Sequence, residues 1–143
     1  MKTVLLVEDN PVDVMLLRRA LNKIAASSEL QTVNDGQAAI DYLAGAGQYS
    51  DRSRFPTPYV IVLDLKLPRK SGFEVLRWLR TSSAYPHLPV VVLTSSREDQ
   101  DLQRAYASGA NSYLLKTLNA DDLTRMAGIL HQYWVEFNQV AGT

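Results

Sequence analysis

The chain has 143 residues, 46% of them hydrophobic and 21% charged, the composition of one soluble globular domain long enough to bury a real core. Fifteen Lys and Arg offset fifteen Asp and Glu, so no global field draws the chain to nucleic acid, and without cysteine it has neither a disulfide framework nor thiol chemistry. The apolar run after Met1-Lys2-Thr3 is far too short for a signal-peptide core or a membrane span, which makes the cytoplasm the default compartment and leaves no membrane among its partners.

Val4 to Val7 is a continuous apolar run of strand length that ends in Glu8-Asp9. Asn10-Pro11 supplies an N-cap followed by proline at the first helical position, and Val14, Leu17, Leu21 and Ile24 give one apolar helical face. Leu30 to Val33 is shorter and more mixed, as suits an edge strand. Asn34-Asp35-Gly36 signals a turn, and Ala39, Ile40 and Leu43 form the stripe of a second helix. Residues 45–58 read as a long loop, either a tolerated surface insertion or a segment with a role.

Tyr59 to Leu63 is a run buried on both faces, and it stops at Asp64. A carboxylate at the rim of a core is expensive unless a cation, donors or water attend it. After Leu67-Pro68 and Ser71-Gly72 a helix follows with Val75, Leu76 and Leu79 inward, while Arg77 and Arg80, like Arg18 and Arg19, read as solvated helix positions. Val90 to Leu93 is another doubly buried strand, ending at Thr94-Ser95. Ser95 and Glu98 have capping-box spacing for the next helix, and Gly109 is a C′ stop. Tyr113 to Leu115 is a last short strand ending at Lys116. Asn119 then caps a long final helix with Asp121 and Asp122 in its first turn.

Strand and helix alternate five times, which predicts a single doubly wound α/β domain, a (βα)5 unit with a parallel sheet in order 2-1-3-4-5. In such sheets ligands sit beyond the carboxyl ends of the strands, where this chain places Glu8 and Asp9, Asp64, Thr94 and Lys116. A strand-terminal Asp is often only a helix cap, but four of five strands ending in such residues is hard to reach by chance. The chemistry that fits is phosphoryl transfer onto Asp64. Close carboxylates need a cation to join them, and a few carboxylates with water and phosphate oxygens is how Mg²⁺ is held. Lys116 would pair with one phosphoryl oxygen and the Thr94 hydroxyl with another. The two histidines, His87 and His131, lie away from this rim in sequence, and no zinc set or P-loop is present.

The chain resembles the response regulator receiver domains of two-component signalling over essentially its whole length. The resemblance rests on Leu6-Val7-Glu8-Asp9-Asn10, on Leu63-Asp64-Leu65-Lys66-Leu67-Pro68 with Gly72, on Leu93-Thr94-Ser95-Ser96 and on Tyr113-Leu114-Leu115-Lys116. The spacing from Asp64, 30 residues to Thr94 and 52 to Lys116, is also that of the family. It implies a flavodoxin-like fold and a phosphoacceptor rather than a metabolic enzyme, with Asp64 accepting phosphate from a histidine kinase. Glu8, Asp9, Asp64 and the backbone carbonyl of Lys66 would hold Mg²⁺. Thr94 and Tyr113 would form the switch that carries phosphorylation to the surface. Two positions depart from the family: Glu8 stands where Asp is commoner, and Thr117 follows Lys116 where the family usually has proline in a cis bond. Either that bond is trans and Lys116 is placed differently, or the fold bears the strain.

Within the family, the long loop, Ala110-Asn111-Ser112-Tyr113 and His131-Gln132-Tyr133-Trp134 are similar to stand-alone regulators paired with bacterial phytochromes, which implies a bilin-binding histidine kinase as partner. The stripe Leu123, Met126, Leu130, Tyr133, Trp134 and Phe137 continues beyond the expected reach of the sheet, so Tyr133, Trp134 and Phe137 are expected to close a homodimer. The chain ends just after its fifth helix, which implies a single receiver domain, residues 1–143, with no output domain. The competing reading is a Mg²⁺-dependent phosphohydrolase with an Asp nucleophile. Such enzymes typically carry a second acid two residues on, where this chain has Lys66. A flavin or nucleotide carrier fails on the acidic, glycine-free loop Asp9 to Asp13.

Overall fold

Runs such as Val4–Val7, Val60–Leu63 and Val90–Leu93 carry an apolar side chain at every position, and alternate residues point to opposite faces, so both faces of the sheet they form need cover. The computed structural model describes residues 1–24 and 27–141. It contains strands β1 (Lys2–Val7), β2 (Ser28–Val33), β3 (Val60–Leu63), β4 (Val90–Thr94) and β5 (Ser112–Leu115), all parallel and in the order β2-β1-β3-β4-β5. Between them lie α1 (Pro11–Lys23), α2 (Gly36–Ala44), α3 (Gly72–Ser82) and α4 (Asp99–Ala107), and α5 (Ala120–Leu130) follows β5.

The alternation splits the core in two. Leu5, Val7, Ile61, Leu63, Val90 and Val92 pack against α2, α3 and Ala105 of α4. Val4, Leu6, Val60, Val62, Val91 and Leu93 pack against Leu17, Ala20 and Leu21 of α1 and Leu123, Ala127 and Leu130 of α5. All four residues of β3 are 0% exposed, and burying each such side chain contributes about 1.5–3 kcal/mol. Strands β2 and β5, at the edges, are only partly buried, as their mixed composition predicts.

Three expectations are corrected. Arg80 is not solvated: from the last turn of α3 its guanidinium donates to the carbonyls of Pro86 (3.0 Å), Leu88 (2.6 Å) and Gly109 (2.7 and 3.0 Å) and to Oδ1 of Asn111 (3.0 Å). It thereby ties the entry to β4 to the turn before β5, and burial holds its pKa below the usual guanidinium value. The capping box of Ser95 and Glu98 does not form, because Glu98 itself takes the N-cap position of α4 with no side-chain cap bond. Ser96 serves instead, its Oγ accepting from the Glu98 N–H (3.3 Å) and donating to Oδ2 of Asp101 (2.6 Å). The final helix is α-helical only to Leu130 and then widens into a π-helical segment, His131–Phe137. The wider turn changes the phase of the stripe: His131 and Val135 face inward, and Trp134 packs against the second core cluster instead of projecting past the sheet. Tyr133 and Phe137 stay 57% and 73% exposed.

The long loop is folded rather than loose. It contains a 3₁₀ turn over Gly47–Ser50, and the rings of Tyr49 and Phe55 stack on Tyr42 of α2 with centroids 5.2 and 5.9 Å away. Arg52 donates to the carbonyls of Tyr42 (2.8 Å) and Leu43 (2.9 Å) in the last turn of α2, where helix carbonyls lack intrahelical partners.

Candidate functional site

Strands β1 and β3 are neighbours, but the helices that follow them cover opposite faces of the sheet, so a crevice opens between their carboxyl ends. The residues that leave the two strands there are Glu8, Asp9 and Asp64. One carboxylate oxygen from each lies within 4.8 Å of the others. Glu8 and Asp64 are buried and Asp9 is exposed.

Asp64 is fixed from several sides. Its N–H donates to the Val7 carbonyl (3.1 Å), continuing the β1–β3 ladder, and its Oδ1 accepts from the Leu65 N–H (2.7 Å). Helix α3 begins directly over this backbone. A Cβ at Gly72 would fall on the carbonyl oxygen of Asp64, and the Gly72 N–H donates to the Leu65 carbonyl (2.9 Å), so only glycine permits the approach. Glu8 is steadied by the Asn10 N–H, which donates to its Oε2 (3.1 Å).

Lys116 enters from the end of β5, where its N–H donates to the Thr94 carbonyl (2.9 Å). The Lys116–Thr117 bond is trans, since no cis peptide occurs among the described residues, and the side chain nevertheless reaches the acids. Its Nζ lies 2.6 Å from Oε1 of Glu8, 2.8 Å from Oδ2 of Asp13 and 3.0 Å from Oδ2 of Asp64. One ammonium thus faces three carboxylates, hydrogen-bonded to Asp13 and Asp64 and ion-paired with Glu8. Burial works against the charge of Lys116, but the bonds to Asp13, Glu8 and Asp64 outweigh it and hold the pKa above the usual lysine value. Burial pushes Glu8 in the protonating direction, against the pull of Lys116 and the Asn10 N–H.

Asp13 is the residue that sequence reading missed. It occupies the first turn of α1, where side chains tilt back toward the helix N-terminus and hence toward the rim.

Thr94 is buried at the end of β4, and its Oγ1 accepts from the Ser96 N–H (3.3 Å). The Tyr113 hydroxyl donates to the Ser96 carbonyl (3.0 Å), so the loop after Thr94 is held from both sides. Lys66 is exposed on the loop between β3 and α3, two residues beyond Asp64. Tyr133, Trp134 and Phe137 are not drawn to this rim, being on the π-helical segment. His131 is buried on that same segment, and His87 precedes β4 at the opposite end of the strand from Thr94.

The donor set, three carboxylates already bridged in part by an ammonium, suits a hard cation that prefers oxygen ligands. A family model of the response regulator receiver domain matches residues 4–127. The chain belongs to the response regulator receiver domain family. This receiver domain is 39% identical over 142 residues to the "Probable methanogenesis regulatory protein FilR2" of Methanothrix harundinacea, covering 97% of the chain and 87% of that protein. It is 37% identical over 135 residues to the response regulator Rcp1 of Synechocystis, covering 94% of the chain and 90% of Rcp1. The crystal structure of the Mn²⁺-bound form of Rcp1 superposes with a TM-score of 0.86 at 35% identity, over 99% of this chain and all of that one. The phosphorylated cyanobacterial phytochrome response regulator RcpA superposes with a TM-score of 0.89 at 33% identity, over 99% of both chains. The strand order of the receiver domain is the one its sequence predicts. No helix among the described residues is long and apolar enough to cross a membrane.

Proposed function

We propose that this receiver domain is a phosphoacceptor: a histidine kinase transfers a phosphoryl group to a carboxylate oxygen of Asp64, and the resulting acyl phosphate switches a protein-interaction surface. The observation that carries this reading is the convergence of Glu8, Asp9, Asp64 and Lys116 at the crevice between β1 and β3. Glu8, Asp9, Asp64 and the Lys66 carbonyl would hold Mg²⁺, which when bound supplies charge neutralisation to an incoming phosphoryl group. Asp64 is oriented by the Leu65 N–H, Lys116 offers protons to a phosphoryl oxygen, and the Thr94 hydroxyl, whose oxygen accepts from the Ser96 N–H, would donate its own proton to another. Because the Tyr113 hydroxyl is bonded to the carbonyl of the same Ser96, a movement of Thr94 towards the phosphoryl group would be passed to β5. The test is incubation with Mg²⁺ and acetyl phosphate, with an acid-stable, base-labile adduct as the expected result. An Asp64→Asn variant that acquired the label at wild-type stoichiometry would overturn the assignment.

The partner we assign is a bacterial phytochrome kinase, supported by the likeness to RcpA. The receiver domain then acts through protein contacts in the cytoplasm, without catalytic turnover of its own. Turnover of a small phosphoester at enzymatic rates would instead favour a phosphohydrolase. We further propose a homodimer through β5 and α5. A groove of about 640 Å³ there is lined by Leu114, Met126, Ile129, Leu130, Tyr133 and Trp134, with Ile129 62% exposed. A second copy of the same self-complementary face is the occupant that fits an apolar groove flanked by its own aromatic residues. Sedimentation at tens of micromolar checks this, and a monomer both with and without phosphorylation would refute it.

A further inference from the structure

Lys116 is held by three carboxylates, and only two of them belong to the oxygen set that would take a divalent cation. When such a cation occupies Glu8, Asp9 and Asp64, it competes with the ammonium for Glu8 and Asp64, because like charges repel and both cations draw on the same two carboxylates. Its one contact outside that set is Oδ2 of Asp13, 2.8 Å away. Asp13 is placed to keep it. Its backbone is fixed in the first turn of α1 beside proline at the helix start, with its N–H donating to the Asn10 cap (3.4 Å). Lys116 carries a flexible four-carbon stem and is already partly open to solvent, so an ammonium without a partner would be free to swing away.

Resting on the phosphoacceptor reading above, we infer that Asp13 is a positioning residue: it retains the Lys116 ammonium at the rim when a divalent cation displaces it from Glu8 and Asp64. Retention has two effects. It weakens the competition of Lys116 for the oxygens the cation needs, and it keeps the ammonium within reach of a phosphoryl group on Asp64. A carboxylate acting only through its charge would attract the cation whether or not Lys116 were present. The two cases separate in a double-mutant cycle.

Mn²⁺ affinity is measured by water-proton relaxation on the wild-type protein, Asp13→Asn, Lys116→Gln and the double variant, each shown to be folded by its urea transition. With Lys116 present, Asp13→Asn should weaken Mn²⁺ binding about fivefold or more, and in the Lys116→Gln background by about twofold or less. Asp13→Glu should recover most of the loss, since it restores a carboxylate within reach of the ammonium. Equal factors in both backgrounds, or no effect in either, would remove the role of Asp13 while leaving the phosphoacceptor reading in place. A wild-type protein that bound no Mn²⁺ would remove both.

Discussion

The Nζ of Lys116 stands 2.6 Å from Oε1 of Glu8, a carboxylate only 3% exposed. Two buried acids, Glu8 and Asp64, thus share one cation, and removing it leaves both without a counter-charge. Lys116→Gln should therefore destabilise the fold by about 1–3 kcal/mol in metal-free buffer. Millimolar Mg²⁺ should recover most of this, since the same oxygens then have another cation. Urea unfolding with and without Mg²⁺ checks both, and a midpoint unmoved by the substitution would show that the acids do not depend on Lys116.

Arg80 makes five hydrogen bonds, all to neutral acceptors and four of them to backbone carbonyls that would otherwise lose a partner. Arg80→Ala should cost about 2–4 kcal/mol, and Arg80→Lys should recover little, because an ammonium cannot span acceptors arranged for a planar fork. Comparison of the two unfolding midpoints decides this. A fully stable lysine variant would show that charge alone matters.

These two residues also show where sequence reading succeeds and where it stops. The strands were legible because burial on both faces writes itself as unbroken apolar runs, and the acids and Lys116 because they terminate such runs. Asp13 left a weaker trace: it follows Asp9 by one helical turn, and the backward tilt of helical side chains aims it at the rim. Arg80 left none. Its partners lie 6 to 31 residues further along the chain, and local periodicity puts it beside the exposed Arg77. The cap of α4 was misplaced because Ser95 and Glu98 fit a local pattern while Ser96 and Asp101 close a real bond. The end of α5 was misphased because nothing in the apolar spacing announces a change from α to π turns.

Tyr42 gives the long loop a pH signature. It is 1% exposed, its hydroxyl donates to the Pro56 carbonyl (2.8 Å), and burial raises its pKa from 10.0 to about 12. Between those values the unfolded chain releases the phenol proton while the folded chain keeps it. Stability contributed by the neutral phenol is therefore full below pH 10 and falls as pH rises toward 12, by about 2–3 kcal/mol in all. The urea midpoint of the wild-type protein should fall relative to that of Tyr42→Phe as pH rises across this range, since lysines and other tyrosines titrate equally in both. Parallel curves would mean that Tyr42 ionises freely.

At Gly72 the approach of α3 to the backbone of Asp64 leaves no room for a methyl group. Gly72→Ala should cost about 1–3 kcal/mol through overpacking. It should also lower acetyl-phosphate labelling of the molecules that remain folded, because the strain falls on the residue proposed to be labelled. Labelling at the wild-type rate in folded protein would show that the displacement is taken up by α3 alone.

Helix α4 is fastened unequally at its two ends. Beyond its C-terminus the Gly109 carbonyl is gripped by Arg80, and the Arg104 guanidinium lies 4.0 Å over the ring of Phe73. At the other end, next to the acidic rim, it hangs on Ser96, whose hydroxyl bonds Asp101 and whose carbonyl accepts from the Tyr113 hydroxyl. This makes α4 a short lever with its fulcrum remote from the carboxylates and its light end beside them. Amide exchange should be faster at Leu102 and Gln103 than at Ala107 and Ser108, and on the proposed switch a small shift of the Thr94 loop would swing the whole helix.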